Sequence, residues 1–589
     1  MRPFKLDKWD LSELVTDPYS PSFTKRLEQI DSEVAKFEKN KKNLASNISE
    51  KNFMGLLHSL EKIIEKFSVV SGYASLEYSS DTQSDKITSL LTKMRKIGSE
   101  IDNRTLFFDQ WWKKQLDEKN AQRLMQNTGE LREFLRHKRT LARYSLSEPE
   151  EKIINTLDVT GHSALVKLYD KITNAFQFTV RIDGRTKTYT REELTQLVRS
   201  PKAKTREIAY KALLSQFDKN KGVLGEIYQN IVLNWKDECI QIRGYTSPIS
   251  VRNIGNDVDD KTVESLISVC RRNADVFRRF FSLKARLLKI KKLRRYDLYS
   301  PIQKKEEKKY TYDKAVKLVL QTLHDFSPSL GEFAKRVFVE NHVDSQIRIG
   351  KRSGAFCSTI TPKVTPFVLL NFKGRTNDVF TMAHELGHAV HSIAASDKSV
   401  FIQEAPLPLA ETASTFSEML LFDKILNQVS EKEQQSILVE HIDDLYATVG
   451  RQAYFTVFEM AAHQKIGDNA TVQDISDEYM RILKEQFGTS LDISSDFAVE
   501  WTYIPHFFHS PFYCYSYSFG NLLSLSLFQR YRKEGKSFAP TYVQILSAGG
   551  AKKPEELLEE YDIDITSEKF WQEGFDYIKS QTRRLEKII

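Results

Sequence analysis

The chain has 589 residues, of which 40% are hydrophobic, 11% aromatic and 28% charged, the balance of an ordinary soluble globular protein. This composition excludes disordered, collagen-like and membrane-embedded classes. Lysine plus arginine (87) exceed aspartate plus glutamate (79) by only 8, and the two signs are interleaved, so nucleic-acid binding is not indicated. The cysteines are widely spaced and never form a CxxC pair, which argues against disulfides or a thiolate zinc site and favours the reducing cytoplasm: Cys239, Cys270, Cys357 and Cys514.

Helical periodicity dominates the first half of the chain. Apolar residues recur at spacings of three and four from Phe53 to Phe67, which predicts an amphipathic helix. The dipeptide Asp183-Gly184 follows an alternating apolar segment and predicts a hairpin turn, and Thr190–Glu193 has the capping-box form of a helix start. We therefore predict a mainly α-helical fold with a soft boundary near residue 200, separating an N-terminal helical domain (1–200) from a larger domain (201–589).

Two segments bear on where the protein resides. Residues Met1–Lys8 lack the apolar run of a secretion signal. The segment Trp501–Gln529 contains no charged residue, but prolines, histidines and serines interrupt it, and each polar group would be costly in hydrocarbon. We interpret this segment as a buried aromatic stretch and expect a protein without membrane association.

The segment Thr381–His391 contains a candidate metal-binding and catalytic motif. On an α-helix His384 and His388 lie one turn apart on one face, so both imidazoles can bind one divalent cation, and zinc is the expected ion. Glu385 follows the first histidine and is placed to take a proton from a water molecule at the metal. The alternative is a surface helix with two histidines. Small residues that permit close packing argue against that alternative: Ala383, Gly387 and Ala389.

A catalytic zinc site needs a third protein ligand. His391 lies about 10 Å along the helix from His384, out of easy reach of the same ion, and is expected to be a packing or supporting residue. Downstream carboxylates are better candidates, and the spacing favours Glu411, in the first turns of a helix expected to start near Leu409. Glu418 would lie two turns further on, where it could either orient a ligand histidine or form a plain salt bridge. The third carboxylate candidate is Glu404.

The motif and its surroundings resemble the oligoendopeptidase F family of zinc metallopeptidases, relatives of thimet oligopeptidase. The resemblance rests on Phe380–His391 and on Glu411–Glu418 together, and it covers essentially the whole chain. Other segments resemble recurring segments of that family in the same order: Trp9–Ser12, Tyr296–Pro301, Lys351–Phe356, Pro511–Tyr517 and Ser547–Gly550 with Pro554.

The resemblance implies a site and a fold. It implies that His384, His388 and Glu411 are the zinc ligands and that Glu385 is the general base and acid. It also implies two mainly helical halves that enclose a deep channel, with the zinc inside, so that short unfolded peptides enter and folded proteins do not. The 201–589 domain would then be the catalytic metallopeptidase domain.

The family also supplies a histidine and tyrosines that face the metal, and this gives the Trp501–Gln529 segment a role. We expect His506, Tyr513 and Tyr517 to be these residues; Tyr513 and Tyr517 share a face if the segment is helical, and their phenols could stabilise an oxyanion. Nearby His509 and Tyr515 leave the register open, and packing in the core is the alternative for each aromatic residue.

A zinc-dependent endopeptidase acting on oligopeptides in the cytoplasm is therefore the expected function. The strand led by proline, Pro366–Phe372, resembles an edge strand and could hold the substrate backbone by strand addition. A peptide-binding protein that keeps the metal but does not cut, and a basic nucleic-acid binder, are the rival hypotheses. The oligomeric state is left open.

Overall fold

The structure, a computed structural model, describes residues 3–302 and 309–589. Its mainly α-helical architecture confirms the predicted fold class. The α-helices of the first 300 residues are α1 Pro21–Glu38, α2 Glu50–Ser80, α3 Asp85–Gln110, α4 Glu118–Met125, α5 Arg132–Ala142, α6 Glu148–Asp158, α7 His162–Asn174, α8 Arg191–Leu197, α9 Ala203–Lys219, α10 Lys221–Trp235, α11 Ser250–Gly255, α12 Asp260–Arg272 and α13 Ala274–Leu287.

The remaining helices and all the strands of the described residues follow in chain order. The helices are α14 Tyr312–Phe326, α15 Pro328–Val339, α16 Thr376–Ala394, α17 Leu407–Ala410, α18 Thr412–Leu426, α19 Glu431–Leu445, α20 Arg451–Gly467, α21 Val472–Phe487, α22 Pro505–His509, α23 Tyr515–Glu534, α24 Ala539–Ser547, α25 Pro554–Glu559 and α26 Glu568–Lys587. The strands are β1 Phe178–Ile182, β2 Arg185–Tyr189, β3 Leu293–Arg294, β4 Val343–Asp344, β5 Phe356–Ser358, β6 Phe367–Leu369 and β7 Leu491–Asp492.

The chain forms two compact units, each assembled from separate stretches of sequence. The first unit comprises Met1–Arg143, Glu307–Asn427 and Arg530–Ile563, and the second comprises Tyr144–Glu306, Gln428–Gln529 and Asp564–Ile589. The boundary expected near residue 200 lies within the second unit and stays a prediction.

The first unit has a helical core that includes the periodic segment predicted from the sequence. That segment lies in α2, where Phe53 and Ile63 are buried. The Ser49 hydroxyl accepts a hydrogen bond from the Asn52 N–H at 3.3 Å and so caps the first turn. The same core takes in Phe367 and Leu369 of β6, which ties the helical part of the unit to its small sheet.

The sheet of the first unit corrects the prediction about Pro366–Phe372. Its strand order is β4-β6-β5, with β6 parallel to β4 and antiparallel to β5. Strand β6 is therefore central and fully buried, and the expectation that this segment is an edge strand able to take up a peptide is wrong. A proline just before the first paired residue costs no ladder hydrogen bond, so it is compatible with a central strand as well. The edge strands are β4 and β5, of which β5 comprises Phe356–Ser358.

The second unit confirms three local predictions. Strands β1 and β2 pair around Asp183 and Gly184, whose φ angles of 50° and 80° suit the tight turn. Thr190 and Glu193 form the capping box at the start of α8. The charge-free segment Trp501–Gln529 is mostly buried, and no helix in the described part of the chain has both the length and the apolar character that crossing a membrane requires.

A carboxylate in the core of the second unit lacks a partner for one of its oxygens. Glu459 of α20 is fully buried, and its Oε1 accepts a hydrogen bond from the N–H of Phe512 at 2.8 Å. Its Oε2 has no hydrogen-bond partner among the described residues. Burial raises the pKa of Glu459 to about 8, so the neutral acid is the form that the folded protein favours.

We expect Glu459→Gln to stabilise the protein at alkaline pH. Because the folded-state pKa lies above the ordinary value of 4.5, the unfolded chain loses this proton first, and the free energy of unfolding falls as the pH rises from about 4.5 to about 8. A glutamine side chain has no proton to lose, so this decrease is absent from the variant. The free energy of unfolding of the variant therefore exceeds that of the wild type by an amount near zero at the lower pH and by several kcal/mol, at most about 5, at the higher. Urea unfolding at both pH values measures it. A difference that does not change with pH contradicts the prediction.

Candidate active site

Helix α16 presents His384, Glu385 and His388 from consecutive turns. Asp378 in its first turn accepts hydrogen bonds from the N–H groups of Lys373 and Arg375 at 2.7 and 2.9 Å, which fixes where the helix begins. The His384 and His388 rings lie with their centroids 4.8 Å apart, and their Nε2 atoms are 3.2 Å apart. The i, i+4 spacing thus brings two imidazole nitrogens to one point, as the sequence predicts.

Glu411 completes a three-residue cluster at that point. Its Oε2 lies 3.5 Å from Nε2 of His384 and 3.6 Å from Nε2 of His388. These three residues are the group able to hold a metal ion that the described part of the chain offers. Two ligand atoms held about 2.1 Å from zinc at the tetrahedral angle lie about 3.4 Å apart, so the three separations fit one tetrahedral ion. The donor set, two imidazoles and one carboxylate, also suits zinc.

Close packing of two helices brings Glu411 to the histidines. Glu411 lies at the start of α18, which packs against α16 at Gly387. A Cβ atom at Gly387 would lie 2.5 Å from both the carbonyl oxygen of Ala413 and the Cα of Ser414, so only glycine permits this approach. The Ser414 hydroxyl donates to Oε2 of Glu411 at 2.8 Å and orients the carboxylate. Gly387 of the motif therefore serves the close packing that the sequence indicated.

Glu418 lies behind His384, on the side away from the cluster. Its Oε1 is 2.5 Å from Nδ1 of His384. Burial acts to lower the pKa of His384, but the hydrogen bond and charge of Glu418 outweigh it and raise the pKa to about 9. This contact holds the Nδ1 proton and leaves Nε2 for a metal, so the structure favours the orienting role of Glu418 over a plain salt bridge.

We expect Glu418→Gln to weaken metal binding by about 10- to 100-fold without unfolding the protein, because an amide orients His384 less strongly and makes its ring a poorer donor. Competition with a fluorescent zinc chelator measures the affinity. Glu332→Gln, which removes one carboxylate from the exposed part of α15, serves as the matched control. Equal metal affinity in the Glu418 variant and the wild type would show that this contact is a salt bridge with no role at the site.

Glu385 is buried next to the cluster, with 8% of its surface exposed. Burial raises its pKa to about 7; the charges of Glu411 and Glu418 act in the same direction, while His384 and a hydrogen bond from the backbone N–H of Cys357 oppose them. A carboxyl group with a pKa near neutrality can both accept and return a proton at physiological pH.

Two cavities meet at His384 and Glu385 in the first unit. The first cavity, of about 450 Å³, includes part of the loop before β5 and one face of the early turns of α16: Gly354, Ala355, Leu370, Asn371, Phe372, Asn377, Asp378, Phe380, Thr381, His384, Glu385 and Glu418. The second cavity, of about 430 Å³, is lined by β5 and by residues around the end of α16: Ala355, Phe356, Cys357, Thr359, His384, Glu385, His388, His391, Ser392, Gln403, Glu404, Ala405 and Ala410. Space for an extended chain thus exists on both sides of Glu385.

The other two candidate ligands lie outside the cluster. His391 is buried, and burial lowers its pKa to about 4, which fits a packing residue. Glu404 is exposed and lines the second cavity, but it does not belong to the group able to hold a metal ion. The geometry therefore distinguishes Glu411 from Glu404, which spacing had left as alternatives.

The three aromatic residues predicted as oxyanion donors lie together in the second unit. The Tyr513 and Tyr517 rings have centroids 5.3 Å apart, and the Tyr517 hydroxyl is 3.4 Å from Nε2 of His506. Tyr513 precedes α23, which begins at Tyr515, so the two tyrosines do not share a helix face as expected, although their rings are in contact. The part of His506, Tyr513 and Tyr517 in catalysis stays a prediction.

The alternatives considered for the register have other contacts within the second unit. His509 pairs with Asp170 at 2.8 Å, and the Tyr515 hydroxyl accepts a hydrogen bond from the Asn256 amide at 2.8 Å. Neither belongs to the ring cluster of His506 and the two tyrosines.

Sequence reasoning missed two supporting groups at the site. Ser414, which orients Glu411, lies three residues after it, a spacing that allows a side-chain contact on a helix and could have indicated the role. The backbone N–H of Cys357, which reaches Glu385, left no signal in the sequence because any residue other than proline supplies the same group.

The chain is similar to known peptidases over nearly its whole length. Residues 196–577 match the model of peptidase family M3, and residues 114–178 match a model described as Oligopeptidase F. An oligoendopeptidase F homolog from Borreliella burgdorferi is 27% identical, covering 99% of this chain and 98% of its own.

Two crystal structures share the fold. One, of a protein from Chlamydophila abortus, has a TM-score of 0.89 at 23% identity and covers 99% of this chain and 98% of its own. The other, oligoendopeptidase-F from Enterococcus faecium, has a TM-score of 0.70 at 19% identity and covers 96% and 98%. The family match extends over more than half of the chain. The chain therefore belongs to peptidase family M3 as an oligoendopeptidase F-type peptidase, which confirms the resemblance seen in its sequence.

Proposed function

We propose that this peptidase is a zinc-dependent endopeptidase that hydrolyses internal bonds of short, unstructured oligopeptides. In this proposal one zinc ion is held by His384, His388 and Glu411, and Glu385 is the general base and acid. The observation that carries it is the convergence of Nε2, Nε2 and Oε2 within 3.2 to 3.6 Å, next to a buried carboxyl group. Relatives that bear the name oligoendopeptidase F support the substrate class.

The mechanism assigns one proton path to Glu385. The zinc ion, when bound, supplies a Lewis acid that polarises the scissile carbonyl and makes a water molecule more acidic. Glu385 accepts the proton of the attacking water and passes it to the departing amine. Its pKa, which burial raises to about 7, suits both transfers. Glu418 keeps the His384 ring oriented throughout, and Ser414 does the same for the Glu411 carboxylate.

Strand β5 is the proposed site for the substrate backbone. It is one of the two edge strands of the sheet, and its residues Phe356 and Cys357 line the second cavity together with Glu385. The N–H and C=O groups of one residue in a strand point to the same edge, so the N–H of Cys357, which reaches Glu385, implies that its carbonyl faces the same side. Main-chain pairing there would hold many different peptides, because it does not depend on side-chain identity.

The rival function is a peptide-binding protein of the same fold that does not cut. The presence of Glu385 beside the cluster argues against it, since binding alone needs no buried acid. The proposed location is the cytoplasm, where the four free cysteines remain reduced. No feature favours nucleic acid as a partner.

An internally quenched, unstructured peptide tests the proposal. We expect cleavage that a chelator abolishes and that one equivalent of zinc restores. Peptide binding without cleavage by the zinc-loaded protein supports the rival function, and cleavage that persists after complete metal removal contradicts the proposed one. Mass mapping of the products shows whether internal bonds are cut.

A further inference from the structure

The second cavity contains a carboxylate that the proposed mechanism does not use. Glu404 is exposed and lines this cavity together with Glu385. Among the described residues, no hydrogen bond or ion pair joins its carboxylate to another group. No lysine or arginine is among the residues that line the second cavity, so neither of these side chains pairs with Glu404 there.

The carboxylates of the first cavity differ in this respect. Asp378 accepts two backbone hydrogen bonds at the start of α16, and Glu418 pairs with His384. Both are therefore already used by the protein. Three apolar side chains line the same cavity: Leu370, Phe372 and Phe380. The two sides of Glu385 thus offer different chemistry, with a free carboxylate only in the second cavity.

The backbone that carries Glu404 is held rigidly. The N–H of Gly550 donates to the carbonyl of Ile402 at 2.7 Å. Gly549 has a φ of 53°, and a Cβ atom there would lie 2.3 Å from the same carbonyl; a Cβ at Gly550 would lie 2.8 Å from the carbonyl oxygen of Glu404. The two glycines therefore pack directly on the Ile402–Glu404 backbone and fix its position beside the cavity.

Cys357 lines the second cavity together with Glu404, and the charge of Glu404 acts on its thiol. Burial, followed by the charges of Glu385 and Glu404, raises the pKa of this thiol well above its usual value. Cys357 lies on β5, the proposed site of the substrate backbone. Both carboxylates are thus within electrostatic reach of the strand along which a peptide would lie.

We propose that Glu404 forms a subsite in the second cavity that selects a positively charged peptide side chain, lysine or arginine. This inference rests on the proposed function, which it deepens by naming the class of substrate. A cationic side chain that enters the cavity beside Glu404 gains an ion pair, whereas an anionic side chain in the same place lies next to a like charge. The enzyme therefore combines broad backbone recognition with a charge preference on one side of the cleaved bond.

Paired peptides test the subsite. A quenched peptide with neutral termini has lysine or the uncharged norleucine placed in turn at each position around the mapped cleavage site. We expect kcat/KM for lysine to exceed that for norleucine about five-fold or more at one position, the ratio that about 1 kcal/mol of ion pairing gives, and to fall with added salt. In Glu404→Gln the ratio drops to about one. In Glu404→Lys it inverts, and glutamate becomes the preferred residue.

Each ratio compares kcat/KM for two peptides on the same enzyme sample. Differences in folding or metal content between variants therefore cancel from it. Glu332→Gln, on α15, removes a carboxylate that lines neither cavity and keeps the lysine preference. A wild-type ratio near one at every position, or a ratio that survives Glu404→Gln, overturns the subsite.

A binding experiment separates this proposal from the proposed function. The zinc-loaded Glu385→Gln protein binds the lysine and norleucine peptides without cleaving them, and fluorescence anisotropy gives both dissociation constants with and without the Glu404 substitution. If the wild type cleaves no peptide, the proposed function fails, and tighter binding of the lysine peptide that Glu404→Gln abolishes still supports the subsite. Equal binding of the two peptides refutes it.

Discussion

Replacing Glu385 with glutamine is expected to reduce kcat by about 10³- to 10⁴-fold while leaving one metal ion bound. The amide has the size of the acid but cannot take a proton from water or deliver one to the leaving amine. The metal ligands are other residues, so the metal content should not change. Burial already favours the neutral form of Glu385, so the amide should not lower the free energy of unfolding. A quenched-peptide assay with metal analysis of the same sample measures both quantities.

The control for this substitution is Glu332→Gln, which removes a carboxylate from α15 outside both cavities and should keep normal turnover. A Glu385→Gln protein that contains one metal ion and cleaves at the normal rate would falsify the assignment of the base. Loss of the metal together with activity would point instead to a structural role for Glu385 in the site.

Replacing Glu411 with glutamine is expected to empty the metal site. The amide can still accept the hydrogen bond from Ser414, so local packing is retained, but a neutral amide oxygen is a far weaker zinc ligand than a carboxylate. After dialysis we expect the metal content to fall from one ion per chain to nearly none, with kcat/KM reduced by at least about 10³-fold, because the Lewis acid is lost. Elemental analysis and titration with zinc measure the change.

Glu404→Gln is the matched comparison for this experiment, because Glu404 was the alternative carboxylate by sequence. It lies outside the cluster of His384, His388 and Glu411, so its metal content should remain at one ion per chain. The reverse result, metal lost in the Glu404 variant and kept in the Glu411 variant, would mean that the third ligand has been misassigned.

The active-site residues of α16 could be predicted from the sequence because they are close together in the chain. His384, Glu385 and His388 lie within five residues of one another on one helix, so their mutual geometry follows from helix periodicity alone. The capping box at Thr190 and the hairpin turn at Asp183-Gly184 were predictable for the same reason. In each case the interacting residues are close in sequence, and local backbone preferences decide the outcome.

The position of a strand within its sheet could not be predicted from the sequence near that strand. The apolar run Pro366–Phe372 was correctly read as β structure, but its position in the sheet was not, because Val343 and Cys357, the residues opposite Val368, are each more than ten positions away in the sequence. A strand's place in a sheet depends on which distant segments pair with it. The edges of the sheet are consequently β4 and β5, and β5 is the one that lines the second cavity.

By itself, the sequence determined the helical class, the histidine pair with its adjacent acid, and, through resemblance, the family. The spacing favoured Glu411 and the resemblance implied it, but only the tertiary structure shows how it reaches the histidines, since this depends on α18 approaching α16 at Gly387. It also decided that Glu418 contacts His384 and that Glu404 lines a cavity that no lysine or arginine lines. The physical reason is the same throughout: hydrogen bonds and spacing within one turn are local, whereas the separation of two charges on different helices is set by how those helices pack.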